Sequence, residues 1–394
     1  MSEAVETLTV GETSLRHSPL EEAHRRAGAA LREQDGCVVA ASYGDARAEY
    51  EAVRGGASAG LFDLSSRGRV EVSGGEAVRF LNGMLTNDVA GLKDGEWMHA
   101  AFPNPQGRLV ASVRVFRRGG AFLFDTEAAT YERMLKTLER FTLAGDFHVS
   151  DLTGETAMLS VQGEGAREIV RAALGETAAH TPRSHTTTTQ FRELEVTVAR
   201  ATHTSEEGFD LFVSADAAEG LWDALVASGA RPVGFDALEV LRIEAGVARY
   251  GVDASEANVV LEVVDEAETV SYTKGCYAGQ EIIARIHWRG HVAKKLTGLI
   301  FDGVFDRDAA MPTDARVRSC DEGGREVGRV TSTVFSPRLG QHVALGLVKH
   351  DHLAPGTQVK IFDGDGEVCG AHVAELPLVR GSWYAGDGAE EPGG

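Results

Sequence analysis

The hydrophobic pattern divides the chain into a mixed region and an all-strand region. Residues 67–74 (RGRVEVSG) alternate polar and apolar positions, as a half-buried strand does, and 76–88 follow as a helix. Residues 108–127 read as two strands around an Arg117-Arg118-Gly119-Gly120 turn. Between 128 and 143, Tyr131, Met134, Leu135, Leu138 and Phe141 recur at helical spacing, which predicts a core-facing stripe. Further strands are expected at 157–162, 194–199 and 209–213, and helices at 166–174, 217–226 and 235–245. The run Thr186–Thr189 follows His180, Pro182 and His185 and reads as a surface connection. From 293 to 378 the pattern changes to short strands separated by Gly, Asp and Pro, which predicts a small β-barrel or sandwich. The expected fold class is α+β with a C-terminal small β-barrel and a boundary near residue 290. Residues 1–20 read as a mobile arm and 385–394 (AGDGAEEPGG) as a disordered acidic tail, because Gly, Pro and Glu bury nothing.

With 394 residues, 43% of them hydrophobic, the chain can fill two or three domains. No apolar run approaches the roughly 20 residues of a membrane span. The acidic N-terminus (Glu3, Glu6, Glu12) lacks a basic, then apolar leader. A cytoplasmic protein without a membrane partner is expected. Asp and Glu outnumber Lys and Arg by 59 to 39, a net charge of −20. That excess opposes a nucleic-acid partner, which needs a basic footprint. An acidic surface that prefers Arg to Lys suits concentrated salt, so a halophilic host is expected. The four cysteines form no CxxC and fit no zinc template, so no metal site and reduced thiols are expected.

The most informative run is Lys274-Gly275-Cys276-Tyr277-Ala278-Gly279-Gln280-Glu281. A thiol beside Lys274 is a candidate reactive group, because a nearby cation favours thiolate. The glycines permit a tight turn, and Ile282, Ile283 and Ile286 give one apolar helix side. A capped helix start with an incidental Cys is the other reading of the same residues. The run resembles the signature octapeptide of the YgfZ family, a branch of the glycine-cleavage T-protein (aminomethyltransferase, GcvT-like) superfamily. Further resemblance lies in AGLFDLSSRGRVEVSG (59–74), LTNDVAGLKDG (85–95), LRIEAGVARYGVD (241–253) and GRVTSTVFSP (328–337).

The resemblance implies a GcvT/YgfZ-like multi-domain folate-binding fold. Residues 21–289 would form the folate-binding region, two intertwined α+β subdomains, and 290–380 the barrel. It implies tetrahydrofolate, or a one-carbon derivative, as cofactor. HTSEEGFDLF (203–212) places Glu206 where a glutamate pairs with the pterin; a solvated acidic turn is the alternative. Arg242 falls near the folate or in a structural ion pair, and Tyr250 lines the pocket or packs in the core. In NPQGRLVAS (104–112), Asn104 and Gly107 keep the T-protein pattern, but Ala111 and Ser112 occupy its two aspartate positions. His99 stands where T-proteins usually carry Tyr. A hydroxyl supplies no ionised acceptor near neutral pH, so the expectation leans away from an enzyme. The first functional expectation is therefore a folate-binding protein supporting iron–sulfur cluster assembly or repair, with iron–sulfur client or assembly proteins as partners. The second is a folate-dependent aminomethyl or one-carbon transferase, or a demethylase. A partner-binding module with a vestigial pocket is the third.

Overall fold

The structure is a computed structural model that describes residues 15–385 apart from Ala144, Val304, Ala310 and Glu322. Two sheets of the mixed region are interleaved in sequence. A five-stranded sheet runs, in spatial order, Trp97–Pro103, Leu109–Arg118, Ala121–Thr126, Gly68–Ser73 and His148–Asp151. A six-stranded sheet runs Thr186–Phe191, Leu194–Arg200, Gly208–Ser214, Thr156–Gln162, Gly60–Asp63 and Arg231–Pro232. Period-two alternation gives each sheet one apolar outer face, and amphipathic helices cover it. On the five-stranded sheet, Met134 and Leu138 of the helix Ala128–Glu139 pack with Val70, Val113 and Phe124. On the six-stranded sheet, Ile169 and Val170 of Ala166–Leu174 and Leu221 and Leu225 of Ala215–Ala227 pack with Leu159, Val198 and Leu211.

The second region is a closed six-stranded barrel, in the order Lys294–Phe301, Gln341–Lys349, Glu326–Ser336, Arg316–Ser319, Gln358–Asp363 and Gly366–Ala374. Its inward residues (Leu299, Val317, Val330, Ala344, Val359, Ile361, Ala371) are fully or nearly fully buried and apolar. Closure leaves no free strand edge, and the interior is too narrow for anything but side chains.

Three local expectations differ from what is found. Residues 15–20 are not an arm: Arg16–His17 pairs with Cys37–Val38, and Leu20 is wholly buried against the six-stranded sheet's helices. Residues 1–14 and 386–394 lie outside the described residues. The threonine run is the edge strand Thr186–Phe191, paired along its length with Leu194–Arg200. Threonine is β-branched and its hydroxyl tolerates the solvent side of an edge, so pairing outweighs polarity. The helix expected over 76–88 spans Ala77–Met84. It stops because Leu85 is extended and Thr86 directs its hydroxyl to the Thr269 carbonyl at 2.7 Å, away from a helical ladder.

Candidate functional site

Because Ala100, Phe102, Ala111, Val113, Val115, Phe122 and Phe124 face the helices, their strand neighbours face the other sheet. The register places His99 opposite Arg114, Ala101 opposite Ser112 and Arg114 opposite Asp125. Trp97, Phe116 and Leu123 of this inner face pack with Phe62, Met158 and Phe212 of the six-stranded sheet. The rest of the face is charged. Arg114 donates from Nε to Asp125 at 2.8 Å and from Nη1 to Asp210, on the opposing sheet, at 2.5 Å. Arg67 adds a two-pronged pair on Asp125 at 2.6 and 2.8 Å, and His203 Nε2 lies 3.0 Å from Asp210 Oδ2.

Burial by itself would raise both carboxyls. The Arg114 and Arg67 guanidiniums outweigh it and hold Asp125 well below the usual carboxylate range. His203 and Arg114 do the same for Asp210, which stays at about 2. The cluster therefore remains ionised and rigid, since removing any one charge strands another in a low-dielectric space.

His99 combines two properties that rarely coincide. Its side chain is 44% exposed, with Nε2 3.8 Å from Glu268 Oε2. Yet burial, then the nearby Arg114 and His203 charges, push its imidazole down to about 4. His99 lies on the inner face opposite Arg114, and a value near 4 keeps its imidazole neutral at pH 7. Glu268, 64% exposed, stands beside it with its carboxyl raised by desolvation and by Asp265. Val113 pairs with Thr126, the last pair of that ladder, and Glu127 follows as the N-cap of the helix Ala128–Glu139. Glu127 Oε2 accepts from the Tyr250 N–H at 2.9 Å, and burial raises its carboxyl despite the Arg67 charge. Neutral His99 and Ser112 offer donors and acceptors on the inner face, beside a fixed charge cluster.

Comparison with known proteins places this architecture. Residues 20–264 match the GCVT N-terminal domain, and residues 294–379 match the glycine cleavage T-protein C-terminal barrel domain. The chain belongs to the glycine cleavage T-protein family. It is 34% identical to an aminomethyltransferase of Rubrobacter xylanophilus over 86% of this chain and 89% of that one. It is 31% identical to an aminomethyltransferase of Geobacillus kaustophilus over 93% and 99%. Among solved structures it superposes on glycine cleavage system aminomethyltransferase T from Bartonella henselae with a TM-score of 0.82, at 25% identity, covering 93% and 99% of the two chains.

Within this T-protein fold the residues singled out from sequence are scattered. His99 is on the inner face of the five-stranded sheet, opposite Arg114. Asn104 folds into its own turn, its Oδ1 accepting from the Gln106 and Arg108 N–H groups at 2.9 and 3.0 Å. The octapeptide backs onto that turn. Gly279 has φ +77°, and a Cβ there would lie 2.5 Å from the Asn104 carbonyl oxygen, which excludes a side chain. Lys274 is buried and donates to the Leu85 and Asn87 carbonyls at 2.8 and 2.6 Å; burial lowers its ammonium to about 8. It pins the Thr86-Asn87-Asp88 segment, while Cys276 is exposed at the surface.

Glu206 is buried, with Oε1 accepting from Arg54 at 2.7 Å and Oε2 from the Ser382 N–H and hydroxyl at 2.6 Å. Arg242 is also buried. It donates to Glu239, Asp253 and Ser332, so it ties the helix Phe235–Glu244 to a barrel strand. Tyr250 reaches Glu127 through its backbone, and its hydroxyl accepts from Arg133 Nη1 at 3.0 Å.

The inner-face groups Arg114, Asp125, Asp210 and His203 escaped the sequence reading. One signal was available: Arg114 is the one charged residue of the strand run Leu109–Phe116 and stands at an inward position, where an isolated charge demands a partner. Its partner Asp210 is 96 residues away, and nothing local identifies it.

Proposed function

We propose that this protein is a tetrahydrofolate-dependent one-carbon transferase, with the folate held beside the inner faces of the two sheets. The observation that carries the reading is neutral His99 and Ser112 on the inner face beside the ionised Arg114–Asp125–Asp210 cluster, in a chain whose relatives are named aminomethyltransferases. The residues fit such a ligand. A pterin edge needs both donors and acceptors, and His99 is accessible, half-desolvated and neutral, so it can serve as either. Tetrahydrofolate, when bound, supplies the nitrogen that carries the one-carbon unit. The charged cluster holds the two sheets at a fixed spacing and gives the inner face an electrostatic field that does not reorganise. Glu206, already satisfied by Arg54 and Ser382, fixes its surroundings through its ion pair.

Calorimetry with tetrahydrofolate and its 5-formyl and 5,10-methylene forms tests the reading. Saturable binding is expected, weakened about tenfold or more in His99→Ala, the worth of one good hydrogen bond in a dry site. Absence of binding by all three would overturn it.

A second reading is favoured by the exposure of Cys276 on a loop that buried Lys274 holds in place. In it, the folate-bound protein supports assembly or repair of iron–sulfur proteins. One thiol cannot hold a cluster alone, so any such role is shared with a partner. Cys276→Ser should then fail to restore iron–sulfur enzyme activity in cells lacking the protein. Full restoration removes this reading and leaves the first untouched.

A further inference from the structure

We propose that a cavity beside the N-terminal strand, with Arg16 on its wall, is a second ligand site and takes a small organic monocarboxylate. This site does not depend on the folate reading. The strand Arg16–His17 pairs in parallel with Cys37–Ser42, the centre of a three-stranded sheet completed by Ala30–Gln34. Between that sheet, the end of Gly60–Asp63 and the strand His148–Asp151 lies a space of about 360 Å³, which Tyr131 of the helix Ala128–Glu139 also lines. His148–Asp151 is one edge strand of the five-stranded sheet, and Trp97–Pro103, which carries His99, is the other. Four strand spacings, about 19 Å, separate the two edges.

Arg16 decides the sign of the ligand. Its guanidinium lies over the Tyr131 ring, 4.8 Å from the centroid, and the Tyr131 hydroxyl is anchored on Asp151. Arg16 Nη1 is buried and has no hydrogen-bond partner. A guanidinium keeps its charge at any ordinary pH, so a buried, unspent N–H calls for an acceptor, and an anionic one binds best. A second guanidinium stands behind the wall. Arg69 is wholly buried and donates to the carbonyls of Ser65, Arg67, Thr153 and Thr156 and to the Thr156 hydroxyl. No carboxylate of the described residues lies within ion-pair distance of it. Ser65 and Thr153 also line the cavity, so the Arg69 charge adds to that of Arg16 there.

Two carboxylates on the same walls limit the ligand to one negative charge. Burial pushes Asp63 and Asp151 up, but hydrogen bonds from His24 and Ser18 onto Asp63, and from Tyr131 and Thr153 onto Asp151, outweigh it and keep both ionised. One charge on the ligand can rest on Arg16, whereas a second would face these carboxylates. That disfavours a phosphate dianion and favours a carboxylate, whose planar pair of oxygens matches the guanidinium fork. Ser66 adds a hydroxyl to the wall, and Pro19, Val38 and Val39 give an apolar surface for the body of the molecule. A few convergent polar groups on an apolar lining are what a small-molecule site requires.

The test is methyl NMR of the full chain, following Val38 and Val39 during titration with acetate, butyrate, benzoate and, separately, inorganic phosphate at matched ionic strength. At least one of the acids should shift the methyl signals of both residues saturably, and phosphate should not. The neutral amide of the acid that binds should bind about tenfold more weakly or worse, the worth of a charge-assisted hydrogen bond. Arg16→Met keeps the contact with Tyr131 but removes the cation, and should weaken the acid by about as much. The amide comparison uses wild-type protein and so holds even if that variant does not fold. Tetrahydrofolate affinity should be unchanged in Arg16→Met. The proposal is overturned if none of the acids binds, if phosphate or the amide binds as well as the acid, or if folded Arg16→Met binds the acid as tightly as wild type. A loss of tetrahydrofolate affinity in Arg16→Met equal to that in His99→Ala would make the cavity part of the folate site and overturn a separate one.

Discussion

The barrel and the inner faces of the two N-terminal sheets are both built from paired strands, and they handle polarity in opposite ways. In the barrel, inward positions such as Leu299, Val317, Ile361 and Val373 are apolar and almost wholly buried. Between the two sheets, Arg114, Asp125 and Asp210 are just as buried, with side chains 5%, 0% and 0% exposed. The barrel closes on itself and needs nothing inside but packing. The sheets face each other across paired charges, with His99 on the same face beside them. A sheet interior that retains paired charges fixes which partners must meet, because an unpaired charge there is costly.

The harshest way to break that comparison is Arg114→Ala. It leaves Asp125 with Arg67 alone and Asp210 with His203 alone, and should cost about 3–5 kcal/mol, read by denaturant unfolding. A loss below ~1 kcal/mol would show that the cluster is hydrated rather than held in a low dielectric. Ile361→Ala should cost about 2–5 kcal/mol by leaving a void in the barrel. Unlike Arg114→Ala, it should leave folate affinity unchanged where the variant is folded. A matching loss of affinity would mean that barrel and folate site are not independent.

A smaller effect sharpens the assignment of His99. Its folded value near 4 lies below the ordinary 6.5, so the unfolded chain takes up this proton first on acidification. The contribution is complete above pH 6.5 and is lost as pH falls toward 4. Stability of His99→Gln should therefore decline less across that window than wild type, measured by unfolding at each pH. Equal slopes would place His99 in ordinary solvent. The smallest change expected is Cys276→Ser, within about 0.5 kcal/mol of wild type, as for other exposed sites. In the unmodified protein Cys276 should be alkylated faster than buried Cys37 and Cys369, whose thiols burial pushes up.

Sequence alone determined the alternation that defines the barrel, the core stripe of the helix at 128–139 and the motifs that resemble the T-protein superfamily. These are local: period two or 3.6 and short residue runs are written in neighbouring positions. It also put Ala111 and Ser112 where the resemblance implies aspartates, because that is a matter of residue identity. Tertiary structure decided which charges meet. Arg114 faces Asp125 only because two strands pair in one register, and a shift of one residue would turn it to the helix side. Arg114 meets Asp210 only because two sheets stack. Glu206 and Arg242, plausible ligand contacts in sequence, are drawn into ion pairs with Arg54 and Asp253 from distant segments. Buried charges choose partners by proximity in space, and in a low dielectric that choice overrides whatever the surrounding sequence suggests.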